Sequence, residues 1–471
     1  LADVSGALPQ SLKKLGAEVV VITPFYGNVR AGKHPLEKTD IQFEVKIGDK
    51  VNVGGVYKGL LPDAQVPVYF LENERYFGRM GLYNYPGTTN DFEDNCERFI
   101  FFARGALEVI EKLKMHPDVV HCNDWQTGLV PVYLKTVYAG KACFRNTKSL
   151  QTLHNLVYQG RFGKSDMDLT GLDGSLFNWK QLEFYGQLNF LKGGIVFSDA
   201  ISTVSKTYAE EIQTMECGDG LEGVLHERSK DLWGITNGID YTIWNPETDK
   251  YIIANYGIKK LGGKQLCKKS LQRTYKLPER DVPVVGMVTR LAKQKGLDLI
   301  IAKFHDLMKL DIQFVLLGSG DPMYHEIFQG FAKVFPEKMA VKLTFDEPSA
   351  HEIEAGADIF LMPSHYEPCG LNQLYSLKYG TVPIARSTGG LADTIVDVRS
   401  EPIDGGRVNG FLFKEYSADL LFATLVRAID LFRKKDSWQR LMKNGMAQDW
   451  SWERSATEYI TLYHKITKSG L

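Results

Sequence analysis

The sequence predicts an α/β protein built on two parallel sheets, and three observations carry that reading. Short Val/Ile/Leu-rich runs recur along the chain, each followed by a longer stretch of helical period. The runs fall into two series separated by a Pro-containing stretch. At 471 residues the chain also has length for more than one core, since domains average roughly 150 residues.

Taken in order, Leu1-Ala2-Asp3-Val4 has no Met, basic n-region or apolar h-region, and reads as a helix already under way. Val19-Val20-Val21-Ile22 is the first strand. Residues 41–47, 51–57 and 66–71 alternate like an antiparallel insertion. Strands at 119–122, 150–152, 200–203 and 232–235 continue the first series, and strand-then-helix order implies parallel sheets covered on both faces. Asn237-Gly238-Ile239-Asp240 marks the joint, with Trp244-Asn245-Pro246 just beyond it. The second series occupies 284–288, 314–317, 341–343, 359–362 and 382–385. The expected domains are therefore 1–240 and 241–448, and Ser451-Trp452-Glu453 opens a final amphipathic helix within 449–471. Gly389-Gly390-Leu391-Ala392-Asp393 follows the last strand, and Leu1-Ala2-Asp3 repeats its second half. That echo predicts a strand and a Gly-rich turn upstream of Leu1.

Composition narrows the chemistry. Hydrophobic residues make up 44% and charged residues 24%, an ordinary globular balance. Lys plus Arg is 56 against Asp plus Glu at 57, so no global field draws the chain to nucleic acid or anionic lipid. The six cysteines are too dispersed for a metal or disulfide framework, which suits a reducing interior. Apolar runs such as Phe99-Ile100-Phe101-Phe102 fall far short of the ~20 residues that span a bilayer. No Gly-x-Gly-x-x-Gly follows a strand, because Gly318-Ser319-Gly320 runs into Asp321-Pro322-Met323, and Gly262-Gly263-Lys264 lacks the rest of a P-loop.

Ligands of open α/β sheets lie beyond the carboxyl ends of the strands. There the first series places Asp124-Trp125, His154-Asn155 and Asn237-Gly238. Taken singly, each reads most simply as a helix cap or a packed polar residue. The second series places Arg290, Lys293 and Lys295 immediately before a helix start at Gly296-Leu297-Asp298. Cations at the positive end of a helix call for an anion, and Arg with Lys suits a diphosphate. In Glu367-Pro368-Cys369-Gly370-Leu371-Asn372-Gln373, Gly370 lets the backbone approach a ligand. The N–H groups of Gly370 and Leu371 then face phosphate while Glu367 faces sugar hydroxyls. Cys369 reads as a packed thiol. The Gly389-Gly390 turn offers further N–H groups to an anion.

Almost the whole chain resembles the bacterial glycogen synthase and plant starch synthase family of glycosyltransferases. The resemblance rests on Leu1-Ala2-Asp3-Val4, Cys122-Asn123-Asp124-Trp125-Gln126, His154-Asn155-Leu156, Leu191-Lys192-Gly193-Gly194 and Thr236-Asn237-Gly238-Ile239-Asp240. It continues through Arg290-Leu291-Ala292-Lys293-Gln294-Lys295-Gly296, the Glu367 segment and Thr388-Gly389-Gly390-Leu391-Ala392-Asp393. It implies the GT-B fold, two Rossmann-like domains facing across a deep cleft that closes about the joint. It implies transfer of glucose from ADP-glucose to the non-reducing 4-hydroxyl of an α-1,4-glucan, with retention and with no metal or other cofactor. By resemblance Arg290 and Lys295 bind the diphosphate, Glu367 holds donor-sugar hydroxyls, and His154 lies beside the anomeric centre. Asp124 and Asn155 line the glucose side, Phe345 stacks on adenine, and Tyr83 contacts the acceptor. Asn237, Cys369, Gly370, Leu371, Gly389 and Gly390 complete the nucleotide-sugar set.

The resemblance also implies a bacterial cytoplasm or a plastid, and a Lys-x-Gly-Gly segment just before Leu1. Lys293 and His365 depart from it, standing where an acidic residue and an Arg are common. Two other functions fit the same residues: a GT-B transferase using UDP-glucose, and a non-catalytic glucan-binding relative.

Overall fold

The computed structural model describes residues 2–32, 34–63, 65–88 and 90–468. Leu1, the first residue of the opening motif, and 469–471 of the final segment therefore lie outside the described residues. The chain divides into two compact units. The first comprises Leu1–Val204, Ala209–Ile235 and Trp452–Leu471, and the second Ser205–Tyr208 and Thr236–Ser451. The division falls at Ile235/Thr236 rather than after Asp240. The reason is local: Ile239 bonds through its N–H to the Trp450 carbonyl (2.8 Å) and packs with Leu374 and Tyr375, all in the second unit.

In the first unit, strands β1 (Val21–Pro24), β2 (Glu37–Ile47), β3 (Lys50–Leu60) and β4 (Pro67–Glu72) form one sheet of order β1-β4-β3-β2. β5 (Val119–Asn123), β6 (Lys148–Leu153), β10 (Ala200–Thr203) and β11 (Leu232–Gly234) form another, all parallel, of order β11-β10-β6-β5. The expected single parallel series with an antiparallel insertion is corrected here. β1 pairs in parallel with β4, Val21 opposite Val68, and so belongs to the sheet of the hairpin strands. Between β6 and β10, the short strands β7 (Arg161–Phe162), β8 (Glu183–Phe184) and β9 (Gln187–Asn189) make a small antiparallel sheet. These three strands, of two or three residues each, are too short to show an alternating pattern.

The final helix, Trp452–Lys468, buries Trp452, Ala456, Tyr459, Leu462 and Ile466 at helical spacing. They pack against Val4, Leu8 and Leu12 of helix Ala2–Lys14 and against Leu150 and Ala200 of β6 and β10. A polar thread crosses this apolar contact. Tyr463 Oη lies 2.8 Å from His121 Nδ1, His121 Nε2 lies 2.6 Å from Thr152 Oγ1, and Thr152 Oγ1 lies 2.6 Å from Ser202 Oγ.

The second unit is a six-stranded parallel sheet of order β14-β13-β12-β15-β16-β17. Its strands are β12 (Val284–Val288), β13 (Gln313–Leu317), β14 (Met339–Lys342), β15 (Ile359–Met362), β16 (Val382–Arg386) and β17 (Phe411–Phe413). β13 and β15 are buried along their whole length, as strands covered on both faces should be. Topology reverses beside β12, whose neighbours are β13 and β15, so the crevice for a ligand lies beyond the ends of β12 and β15. Among the described residues no helix is long and apolar enough to cross a membrane.

Burial lowers the His121 pKa from 6.5 to about 3. The unfolded chain takes up a proton near pH 6.5 that the folded chain refuses. The stability linked to this group is thus complete above pH 6.5 and is lost as pH falls toward 3. Urea titration should show the loss already between pH 6.5 and 5, by about 2 kcal/mol for one histidine. His121→Gln should flatten that part of the profile, and an unchanged profile would remove His121 as its source.

Candidate active site

In the second unit, the chain leaving β12 carries Arg290 into solvent, with Nη2 3.5 Å from Gln294 Oε1. Lys293–Lys295 forms one 3₁₀ turn, closed by Gly296 at φ +70°. A Cβ on Gly296 would overlap the Pro363 carbonyl oxygen, so only glycine lets this turn lie against the end of β15. Gln294 fastens the approach. Its Nε2 donates to the Tyr366 carbonyl (3.1 Å), and its carbonyl accepts the His365 N–H (2.8 Å).

The outcome is an ion pair. Lys295 Nζ lies 2.6 Å from Glu367 Oε2, with side-chain exposures of 17% and 9%. Ser364 Oγ donates to the same oxygen at 3.0 Å. Among the described residues no side chain bonds Glu367 Oε1, so that oxygen keeps its lone pairs free to accept a hydrogen bond. The sequence reading treated Lys295 and Glu367 as separate contacts and missed Ser364 and Gln294. A serine three residues before the glutamate is the one signal that could have found Ser364.

The Gly389-Gly390 turn corrects an expectation. Gly390 N–H bonds the carbonyls of Glu367 and Pro368, both at 3.1 Å, and is spent on protein rather than offered to an anion. Side chains at Gly389 or Gly390 would overlap the carbonyl oxygens of Glu367 and Cys369. The turn therefore seats the Glu367 segment from beneath. Gly370 takes φ +70°, and the N–H groups of Gly370 and Leu371 have no partner among the described residues. They precede the seven-residue helix Asn372–Lys378. Burial pushes the Cys369 thiol up to about 12, and it accepts the Asn237 backbone N–H, so it packs as a neutral group. Asn237 Oδ1 is buried without a partner among the described residues. Phe345, on the loop after β14, is 87% exposed.

In the first unit, Asp124 ends β5 in the left-handed region at φ +56°. It does not cap the turn that follows. Its Oδ1 instead accepts the His154 N–H (2.8 Å), and the Asn155 N–H bonds the same carboxylate. The ends of β5 and β6 are thereby tied together. Burial raises the Asp124 pKa to about 6, against the pull of these N–H donors. His154 is driven down to about 3 by burial and is neutral at pH 7. Its Nε2 lies 2.9 Å from Asn123 Oδ1, an acceptor, so the proton sits on Nε2 and Nδ1 presents a lone pair. Asn155 folds its Oδ1 onto the Val157 N–H (3.2 Å). Tyr83 joins this group through Trp125, with ring centroids 6.1 Å apart. Asn123, which fixes the histidine, is a residue the sequence reading passed over.

Two units thus carry two groups: Lys295, Glu367, Gly370 and Leu371 with Asn237, and Asp124, His154 and Asn155 with Tyr83. Among the described residues no three His, Cys, Asp or Glu side chains gather to hold a metal ion.

Comparison with known proteins places these groups in context. The starch synthase catalytic domain family matches residues 1–227, and the group 1 glycosyl transferase family matches residues 269–445. The glycogen synthase of Thermosipho africanus is 48% identical over 99% of this chain and 95% of its own. That of Syntrophotalea carbinolica is 46% identical over 99% and 96%. The catalytic domain of starch synthase IV from Arabidopsis thaliana, solved bound to ADP and acarbose, superposes with a TM-score of 0.90 at 34% identity, covering 99% of this chain and 95% of that one. Sucrose-phosphate synthase from Thermosynechococcus elongatus shares the fold, with a TM-score of 0.58 at 17% identity over 98% and 92%.

The seat beneath Glu367 makes a direct prediction. Gly390→Ala must displace the 367–369 backbone, and calorimetric titration with ADP should show at least a tenfold loss of affinity. Unchanged affinity would mean that the seat does not govern the Glu367 segment.

Proposed function

The chain belongs to the glycogen and starch synthase family of glycosyltransferases and has their GT-B fold, and from that premise we propose a specific reaction. The enzyme transfers glucose from ADP-glucose to the non-reducing 4-hydroxyl of an α-1,4-glucan and retains the anomeric configuration. The observation that carries this reading is the Lys295–Glu367 pair, joined in the same strand-end loops by the N–H groups of Gly370 and Leu371, at the switch point of the parallel sheet.

The chemistry follows from the charges. Breaking the bond between glucose C1 and the diphosphate oxygen leaves negative charge on ADP. Lys295, Arg290 and the two N–H groups are donors aimed at where that charge grows. Such donors, fixed before the reaction, need no reorganisation as it proceeds. Glu367 anchors Lys295 through Oε2 and receives a donor-sugar hydroxyl at Oε1. In the new bond the acceptor O4 joins C1 on the face the diphosphate leaves, and the O4 proton passes to the departing phosphate. No metal or other cofactor takes part in this scheme. Neutral His154 and the buried Asp124 are assigned to the glucose, Asn155 beside them, Phe345 to adenine, and Tyr83 to the acceptor glucan. ADP in the starch synthase IV structure supports the adenine nucleotide as donor.

Incorporation of labelled glucose from ADP-glucose into glycogen tests this directly, with UDP-glucose expected to be at least tenfold slower. Glu367→Gln keeps the shape and one hydrogen bond to Lys295 but loses the charge. The variant should lose on the order of 10²–10³ in kcat. Near-normal turnover in the variant would remove Glu367 from the mechanism, and faster transfer from UDP-glucose would overturn the donor assignment.

A further inference from the structure

The end of β16 carries an inference that deepens the reading above and rests on it for the identity of the ligand, a glucosyl donor. Strands β15 and β16 pair in parallel from Ile359 opposite Val382 to Met362 opposite Ala385. After Met362 comes Pro363, which has no N–H to continue the ladder. The two carbonyls beyond it, those of Ser364 and His365, are met by a side chain instead. Arg386, the last residue of β16, donates Nε to the Ser364 carbonyl (2.9 Å) and Nη2 to the His365 carbonyl. Its Nη1 reaches the Lys414 carbonyl just beyond β17 (3.2 Å). The guanidinium carbon lies 5.9 Å from the centroid of the Tyr416 ring. The rings of His365 and Tyr416 stand nearly perpendicular, at 85° with centroids 4.7 Å apart. Tyr416 Oη then donates to Asp298 Oδ1 (2.5 Å), in the first turn of the helix Leu297–Ala302.

These contacts bear on the carboxylate at the centre of the site. Ser364 is 2% exposed, and its hydroxyl donates to Glu367 Oε2, the oxygen that also takes the Lys295 ammonium. A carboxylate only accepts, so the direction of this bond depends on where the Ser364 backbone stands. A guanidinium is a rigid planar fork, and two successive carbonyls held in it cannot turn independently. A lysine at this position would offer a point charge on a flexible stem and would not fix both carbonyls at once. We propose that Arg386 is a positioning residue for the glucosyl donor: by fixing the carbonyls of Ser364 and His365 it aims the Ser364 hydroxyl at Glu367 Oε2, and it thereby turns Glu367 Oε1 toward a hydroxyl of the donor glucose. The N–H of Gly390 holds the carbonyls of Glu367 and Pro368 separately, so the N–H groups of Gly370 and Leu371 keep their place without Arg386. Arg386 therefore governs turnover rather than the binding of ADP.

The test uses the full-length chain with Arg386→Lys, Ser364→Ala and the double variant. Arg386→Lys keeps the charge and loses the fork. It should lower kcat for glucose transfer from ADP-glucose to glycogen by about 10- to 100-fold, the worth of one hydrogen bond to a charged group. ADP affinity in calorimetry should stay within about threefold, and the KM for glycogen within about twofold. Ser364→Ala should lower kcat to the same extent, and adding Arg386→Lys to it should cost less than about a further threefold, because the hydroxyl it acts through is already gone. A purely structural role would move kcat, ADP affinity and the glycogen KM together and give additive effects. Either of those results, or near-normal kcat in Arg386→Lys, overturns the proposal. Should Arg386→Lys fail to fold, Ser364→Ala alone decides: near-normal kcat overturns the relay, and a loss of about 10- to 100-fold at unchanged ADP affinity supports it. A wild-type chain that transfers no glucose from ADP-glucose to glycogen would instead refute the function itself, before any variant is compared.

Discussion

The pairing of Lys295 with Glu367 is the constraint on which the rest of the second unit depends. Two opposite charges 2.6 Å apart, each with less than a fifth of its side chain exposed, are stable only if neither is left alone. Breaking such a pair costs about 3–5 kcal/mol, because the remaining charge stays desolvated. The surrounding chain is arranged to prevent that. Gly296 brings the cation in against Pro363, Gln294 zips the two loops together, and Gly389-Gly390 supports the carboxylate's backbone. Ser364 then shares the anchored oxygen, and the other oxygen is left for a ligand.

The first unit solves a different problem with the same economy of polar groups. Asp124 and His154 are both buried, and burial pushes their pKa values toward the neutral forms from opposite sides. Backbone N–H groups hold Asp124 against that drift, and Asn123 fixes the tautomer of the histidine. The Asp124 backbone sits in the left-handed region, where a non-glycine residue is strained and persists only when its surroundings dictate it. Here the carboxylate bonds across to the end of β6 supply that dictation. A neutral imidazole and a carboxylate held by donors suit a neutral sugar, and the near balance of 56 basic against 57 acidic residues is in keeping with such a ligand.

Much of this was legible before any coordinates. The five strands of the second series were readable because buried parallel strands are continuous runs of Val, Ile, Leu and Phe, as in Phe314-Val315-Leu316-Leu317. Their polar neighbours Arg290, Lys295 and Glu367 were readable because ligands of such sheets gather at strand ends. What escaped was pairing. Sequence spacing cannot show that residues 295 and 367 share a proton-sized gap, nor that Gly390 donates its N–H to Glu367 rather than to a phosphate. The partner of β1 escaped for the same reason, since Val21-Ile22-Thr23 has no feature that distinguishes β4 from another strand. Ser364 and Asn123 act only through a neighbour, and a residue of that kind carries no pattern of its own.

The central claim is that Lys295 is a phosphate-binding cation kept in place by Glu367, rather than half of a structural ion pair. Isothermal titration with ADP across wild type, Lys295→Met and Glu367→Gln decides between them. The account predicts that Lys295→Met weakens ADP binding at least tenfold, whereas Glu367→Gln, which keeps a hydrogen bond to the ammonium, leaves the affinity within about threefold. Equal ADP affinity in wild type and Lys295→Met would contradict it.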